Sequence, residues 1–252
     1  MKFKKIYPFI FGFLLFSSVI SCRTVPISEQ TQEDGIVRIR DEFEDKNWSD
    51  VVTNVDEYKA RYPYSKNLPE AELIQANAYY LSGKYPEAIA AYEDFARKNP
   101  IDKNVPFVYY RIANSFDLQA SEEIDREQAS ARKSIAKYAF YVKNYPDAEY
   151  VREASERIKV LTRRLAEHEQ FIARFYWRKA LYSAALSRYL EILNRYPQYE
   201  DLKSEAKERA SVCYEEMADY LEENPDSDKY AVIKNVKPED LRNKAKQILS
   251  IK

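Results

Sequence analysis

Two stretches of this 252-residue chain carry one pattern. Residues 79–100 read YYLSGKYPEAIAAYEDFARKNP and residues 176–197 read YWRKALYSAALSRYLEILNRYP. Set in register, Tyr79 meets Tyr176, Tyr85 meets Tyr182, Ala88 meets Ala185, Tyr92 meets Tyr189 and Pro100 meets Pro197. Apolar residues three and four apart mark helices. A proline one step beyond a helix stops it and pushes the residue before it out of the α region. A short helical hairpin cannot bury its apolar face alone, so a repeated one must stack on its neighbours. Three further segments close in the same way: ARYP at Pro63, KNYP at Pro146 and EENP at Pro225. The last of these reads as the end of the first helix of a final pair.

Composition agrees with helices and little else. The chain holds only three glycines, Gly12, Gly35 and Gly83, too few for phosphate-cradling loops or for the tight turns of a sheet-rich fold. Lys and Arg number 40 against 41 Asp and Glu, a balance that argues against a nucleic-acid partner. Each unit resembles a tetratricopeptide repeat. In the clearest one, helix A carries Ala76, Tyr79 and Tyr80, the turn is Ser82-Gly83-Lys84, and helix B carries Tyr85, Ala88, Tyr92 and Phe95. Alanine belongs where two backbones approach, and tyrosine where a wedge toward the next unit must be filled. In the first unit Trp48 takes the place of Tyr85 and Val51 that of the small alanine. The expected architecture is all-α, a superhelical solenoid of about five tetratricopeptide-like helix hairpins, with repeats 1–3 over 36–147 and repeats 4–5 over 148–252.

The first residues, MKFKKIYPFIFGFLLFSSVISC, have three lysines, a short apolar run and a closing Ser-Cys. That is the form of a secretory signal, and the run is too short and interrupted to span a membrane. Val19 to Cys22 resemble a relaxed bacterial lipobox. The expectation is a signal peptide over 1–21, acylation of Cys22, and a polar tether over 22–35 holding the folded part off the membrane. Arg23 stands where an Asp would resemble an inner-membrane retention signal, which leans toward the outer membrane, periplasmic face. The other cysteine, Cys213, lies in a helical pattern and reads as a packed thiol.

The resemblance narrows in the motifs NW…RYP, AYY, FARKNP…N…VYYRIA, IDREQASARKS and LAEHEQFIARFYWRKALYSAALSRYLEILNRYP, which follow in this order. Together they resemble the BamD family of five-repeat lipoproteins of the outer-membrane β-barrel assembly machinery, with Ala180 where that family usually has glycine. The resemblance implies a non-enzymatic scaffold with no cofactor and no metal. Its partners would be the periplasmic domains of a BamA-type barrel protein and unfolded outer-membrane protein clients. By tetratricopeptide analogy Tyr80 and Trp177 face the groove, with Asn77 and Arg174 one turn away; core packing is the competing role for these aromatics. Tyr62 matches the tyrosine closing the first repeat, in the half that resembles a client-binding region. Arg188 matches the arginine of the fourth repeat, in the half that contacts BamA. A helix-end packing ring and an intramolecular ion pair are the respective alternatives.

An enzyme finds little to work with. The single histidine, His168, stands between Glu167 and Glu169, and one histidine cannot build a His-based metal motif. Carboxylates two apart on a helix diverge and cannot flank one bond. The alternatives kept open are another periplasmic repeat lipoprotein acting as an envelope or division adaptor and, with less support, a helical peptidoglycan lyase.

Overall fold

The computed structural model describes residues 25–225, 227, 229–230 and 236–250. The expected signal peptide and Cys22 lie outside the described residues. A 3-10 turn at Ile27–Glu29 is followed by α1 (Gln32–Glu44), α2 (Trp48–Arg61), α3 (Leu68–Leu81), α4 (Tyr85–Lys98) and α5 (Val105–Leu118). Then come α6 (Ala129–Asn144), α7 (Val151–Arg178), α8 (Tyr182–Arg195), α9 (Glu200–Glu223) and α10 (Pro238–Leu249). No strand occurs among the described residues. Consecutive helices pair into five hairpins, each packed on the next, so the all-α solenoid expected from the repeats is the observed fold. None of the described helices is long and apolar enough to cross a membrane.

Within the hairpins, three turns are one device. Lys46, Gly83 and Ala180 are the middle residues of three-residue turns and have φ of 61°, 75° and 54°. In each turn the next amide reaches back to close the helix: Asn47 N–H to Glu42 O, Lys84 N–H to Tyr79 O and Leu181 N–H to Tyr176 O, at 2.9, 2.9 and 3.0 Å. This is the Schellman closure, which needs one left-handed residue. Glycine takes that conformation freely, whereas an L side chain is strained there by about 1–2 kcal/mol. Ala180→Gly is therefore expected to stabilise the protein by about 1 kcal/mol, part of the relief being offset by the freer unfolded chain. Denaturant unfolding of both proteins checks this, and a lower midpoint for the variant contradicts the strain.

Helix ends before proline form a second recurring device. Tyr62, Asn99, Tyr145, Tyr196 and Asn224 have φ between −133° and −124°. Each precedes a proline, whose ring forbids the α conformation to its predecessor. Three residues on, the amides of Ser65, Asp102, Ala148, Tyr199 and Ser227 bond back to those carbonyls, turning the chain into the following segment. Pro225 closes α9, the first helix of the last pair, as expected.

Small residues sit where the helices cross. Ala88, Ala185 and Val51 are fully buried, and in the third hairpin the position falls to Ser134. There the hydroxyl donates to the Ala113 carbonyl at 3.0 Å, so a polar residue is satisfied in a tight site. Tyr92, Tyr138 and Tyr189 occupy one equivalent position and are all fully buried. The core is continuous through residues 147 and 148, since Tyr138 and Tyr141 of α6 share an apolar cluster with Leu161 of α7. The boundary between 147 and 148 therefore falls inside one apolar cluster that the third, fourth and fifth hairpins share.

The tether expected over 22–35 is corrected at its end. Ile27 is fully buried in a cluster with Ile36, Ile39 and Tyr58, and α1 begins at Gln32. The reason is local. Ile27 is an apolar side chain in a polar stretch, and the Thr31 hydroxyl caps the helix by accepting from Asp34 N–H at 3.2 Å. At Gly35 an added Cβ would lie 3.1 Å from the Tyr58 ring, so glycine here permits a close helix approach. A capped helix start and one buried isoleucine are too small a signal to stand out in sequence.

Candidate functional site

The first helices of successive hairpins, α1, α3, α5, α7 and α9, are tied together along one side of the solenoid. Arg40 of α1 forks onto Glu70 of α3 at 2.6 and 2.7 Å. Tyr80 of α3 donates to Asn114 of α5 at 2.5 Å. Arg157 of α7 forks onto Asp117 of α5 at 2.7 and 2.8 Å. Arg163 forks onto Asp201 of α9 at 2.7 and 2.6 Å, and Arg174 forks onto Glu205 of α9. The Arg163 hydrogen bonds hold the Asp201 carboxyl down at about 2. Exposed forks of this kind contribute roughly 0–1 kcal/mol each. The Arg157–Asp117 pair is different, because the Asp117 side chain is only 4% exposed.

On α3, Tyr80 lies under the Arg111 guanidinium, 4.3 Å from the ring centroid. The same guanidinium stacks on Phe107 at 4.9 Å. Asn77 also serves the fold. Its Oδ1 accepts from the hydroxyl of buried Tyr92 at 2.6 Å; for Tyr138 the acceptor is Asp117 at 3.3 Å, while Asn114 Nδ2 donates to the same hydroxyl at 3.0 Å.

On α7, Arg174 and Trp177 line one cavity of about 330 Å³ with Arg178, Tyr189, Glu205 and Arg209. Glu205 also accepts from Gln170 at 2.8 Å. Arg209 covers the Trp177 ring at 4.7 Å. Burial pushes the Tyr189 phenol up to about 12. Of the six residues named from sequence, Arg174 and Trp177 are brought together in this cavity. Glu205, Arg209 and Tyr189 were missed as site residues. One signal was available: Arg174 stands at the register position of Asn77, so the partner of the buried tyrosine has been replaced.

Tyr62 and Arg188 lie away from that cavity. The Tyr62 hydroxyl donates to the Gln30 carbonyl, and its ring packs on Tyr58 at 5.3 Å. It pins the N-terminal segment, which is the packing alternative noted for it. Arg188 of α8 donates to Glu169 at 2.9 Å, and Arg132 of α6 stands 3.7 Å from the same carboxylate. The Glu169 side chain is 6% exposed while that of Arg188 is 41% exposed. Arg188 thus makes the ion pair and still reaches solvent.

The histidine stretch disperses. His168 Nδ1 lies 2.6 Å from the Ile124 carbonyl, Glu167 pairs with Arg163, and Glu169 pairs with Arg188. No group of three metal-ligating side chains occurs among the described residues. Cys213 is fully buried, and burial pushes its thiol up to about 12. It packs in the core.

Sequence comparisons agree with this architecture. Residues 36–229 match the YfiO family, described as outer membrane lipoprotein. A relative named outer membrane protein assembly factor BamD from Neisseria gonorrhoeae is 27% identical over 166 residues, 62% of each chain. One of the same name from Caulobacter vibrioides is 26% identical over 156 residues, covering 62% of this chain and 51% of its own. Another from Pasteurella multocida is 23% identical over 204 residues, covering 77% of this chain and 78% of its own. The first two matches therefore span less than two thirds of the relatives they align to. The motif resemblance to BamD and the family match converge, and the chain belongs to the YfiO family of outer membrane lipoproteins.

Proposed function

We propose that the protein is a non-enzymatic scaffold lipoprotein of outer-membrane protein assembly. It binds the periplasmic domains of a BamA-type barrel protein and unfolded β-barrel clients, and it is held at the periplasmic face of the outer membrane by acyl chains on Cys22. The observation that carries this reading is the family match over residues 36–229 on a chain whose first helices are tied into one long face. Stacked hairpins offer an extended surface suited to polypeptide partners. Two or more acyl chains hold a protein stably on a bilayer. We assign client contact to hairpins 1–3 and BamA contact to hairpins 4–5.

The test is crosslinked capture from envelopes. A BamA-type barrel protein should come down with the wild type, and capture should fall about tenfold or more with Arg188→Ala, as for an exposed arginine at an interface. Because that change also leaves Glu169 short of a partner, Glu169→Gln is run beside it, and helicity is checked for both. Undiminished capture by folded Arg188→Ala refutes the role of Arg188. Absence of any barrel protein refutes the assembly reading. For the anchor, labelled palmitate should enter the wild type and not Cys22→Ser; label in both ends that part.

A further inference from the structure

We infer that the cavity between α7 and α9 binds a carboxylate carried by a polypeptide partner, received by Arg178, Arg209 and the hydroxyl of Tyr189. The inference deepens the assembly reading and rests on its use of this face for partner binding.

Three guanidinium groups and one carboxylate line the cavity. The carboxylate, Glu205, is already engaged by Arg174 and Gln170. No carboxylate pairs with Arg178 or Arg209 among the described residues. At the cavity wall, Tyr189 is fully buried and its hydroxyl has no hydrogen-bond partner. Buried polar atoms without a partner are rare and destabilising. The equivalent tyrosines show that this one is an exception. Tyr92 donates to Asn77, and Tyr138 is bonded to Asn114 and Asp117. In the fourth hairpin the residue in register with Asn77 is Arg174, a donor drawn away to Glu205. The first helix therefore supplies no acceptor to the phenol, and the cavity opens beside it.

Arg178 and Arg209 can only donate, and the Tyr189 phenol can donate as well, so the ligand that satisfies all three must accept. Guanidinium groups match the two oxygens of a planar carboxylate, and a phenol O–H adds a third donor. Glu205 on the wall disfavours a phosphate dianion more than a carboxylate monoanion. A cavity of about 330 Å³ is at the small end of binding sites, which suits one acidic side chain or a chain end. Both sources present the same chemistry.

Nuclear magnetic resonance titration of the purified protein tests this, reading the Trp177 indole and arginine Nε–H signals. Trp48→Phe identifies the Trp177 signal. The probes are an acetylated, amidated Ser-Gly-Glu-Gly-Ser peptide, its Gln counterpart, that counterpart with a free C-terminus, and inorganic phosphate. The Glu peptide or the free-terminus peptide should give saturable shifts with a Kd on the order of 1 mM, and which of them does so identifies the source. The neutral peptide should give none. Arg178→Ala and Arg209→Ala should each weaken binding about tenfold. Tyr189→Phe should weaken it about fivefold while its melting temperature holds or rises, because the hydroxyl it removes has no partner in the fold. Saturation by neither carboxylate, equal response to the neutral peptide, tighter binding of phosphate, or unchanged affinity of Tyr189→Phe would each overturn the inference. None of these measurements involves a barrel protein, so their failure is distinct from failure of the envelope capture.

Discussion

Tyr138→Ala is expected to lower the unfolding free energy by about 4 kcal/mol, the range for emptying a buried aromatic site. For a chain of this size that is a drop in melting temperature of roughly 8–16 °C. Tyr138 is fully buried in the middle hairpin, with its ring centroid 6.0 Å from that of Tyr110. Its hydroxyl also joins Asn114 to Asp117, so truncation opens a cavity and removes a polar link together. Tyr138→Phe separates the two effects. It keeps the ring and should cost about 1–2 kcal/mol, the penalty of leaving buried polar partners short of a bond. Thermal melts followed by far-ultraviolet circular dichroism decide the matter. A truncation that melts within a degree or two of wild type would show that the neighbouring hairpins hold the site without this ring.

Arg157→Ala is the second large effect, about 3 kcal/mol. It removes the guanidinium that forks onto Asp117, whose side chain is only 4% exposed. An exposed ion pair can be broken at little cost, because water takes over each charge. Here water cannot reach the carboxylate, so the variant holds a buried charge with only a tyrosine hydroxyl to answer it. Adding Asp117→Asn to Arg157→Ala should recover about half of the loss, since it removes the orphaned charge and keeps an acceptor for Tyr138. Because Tyr138 and Arg157 share Asp117, the Tyr138→Phe and Arg157→Ala losses should not add, and a double-mutant cycle should show coupling of at least about 0.5 kcal/mol. Strict additivity would mean that the two bonds to Asp117 are independent.

Much of the architecture was legible because its signals are short-range. Pro63, Pro100, Pro146, Pro197 and Pro225 act on the residue just before them, and all five of those residues leave the α region for one shared conformation, with φ between −133° and −124°. The tyrosines in register, Tyr92 and Tyr189, proved buried as their spacing required. Two features escaped. Ser134 stands at the crossing position that Ala88 and Ala185 hold in their hairpins, and fits by donating to a carbonyl from the facing helix. The N-terminal segment docks through Ile27 and Gly35 against Tyr58, a contact between residues far apart in sequence with no periodic pattern to announce it.

The candidate site was only half legible. Arg174 and Trp177 could be placed on one helix face from spacing alone, whereas Asn77, on the same face of its own hairpin, is spent on Tyr92.

Repetition, helix stops and the register of small and large residues were set by the chain itself, because each follows from the geometry of a few neighbouring residues. Which polar side chains serve the fold and which remain open to a partner was decided only when α7 met α9. An arginine in isolation has donors and no assigned acceptor. Only the packed helices give Arg174 its carboxylate, and leave Tyr189 without one.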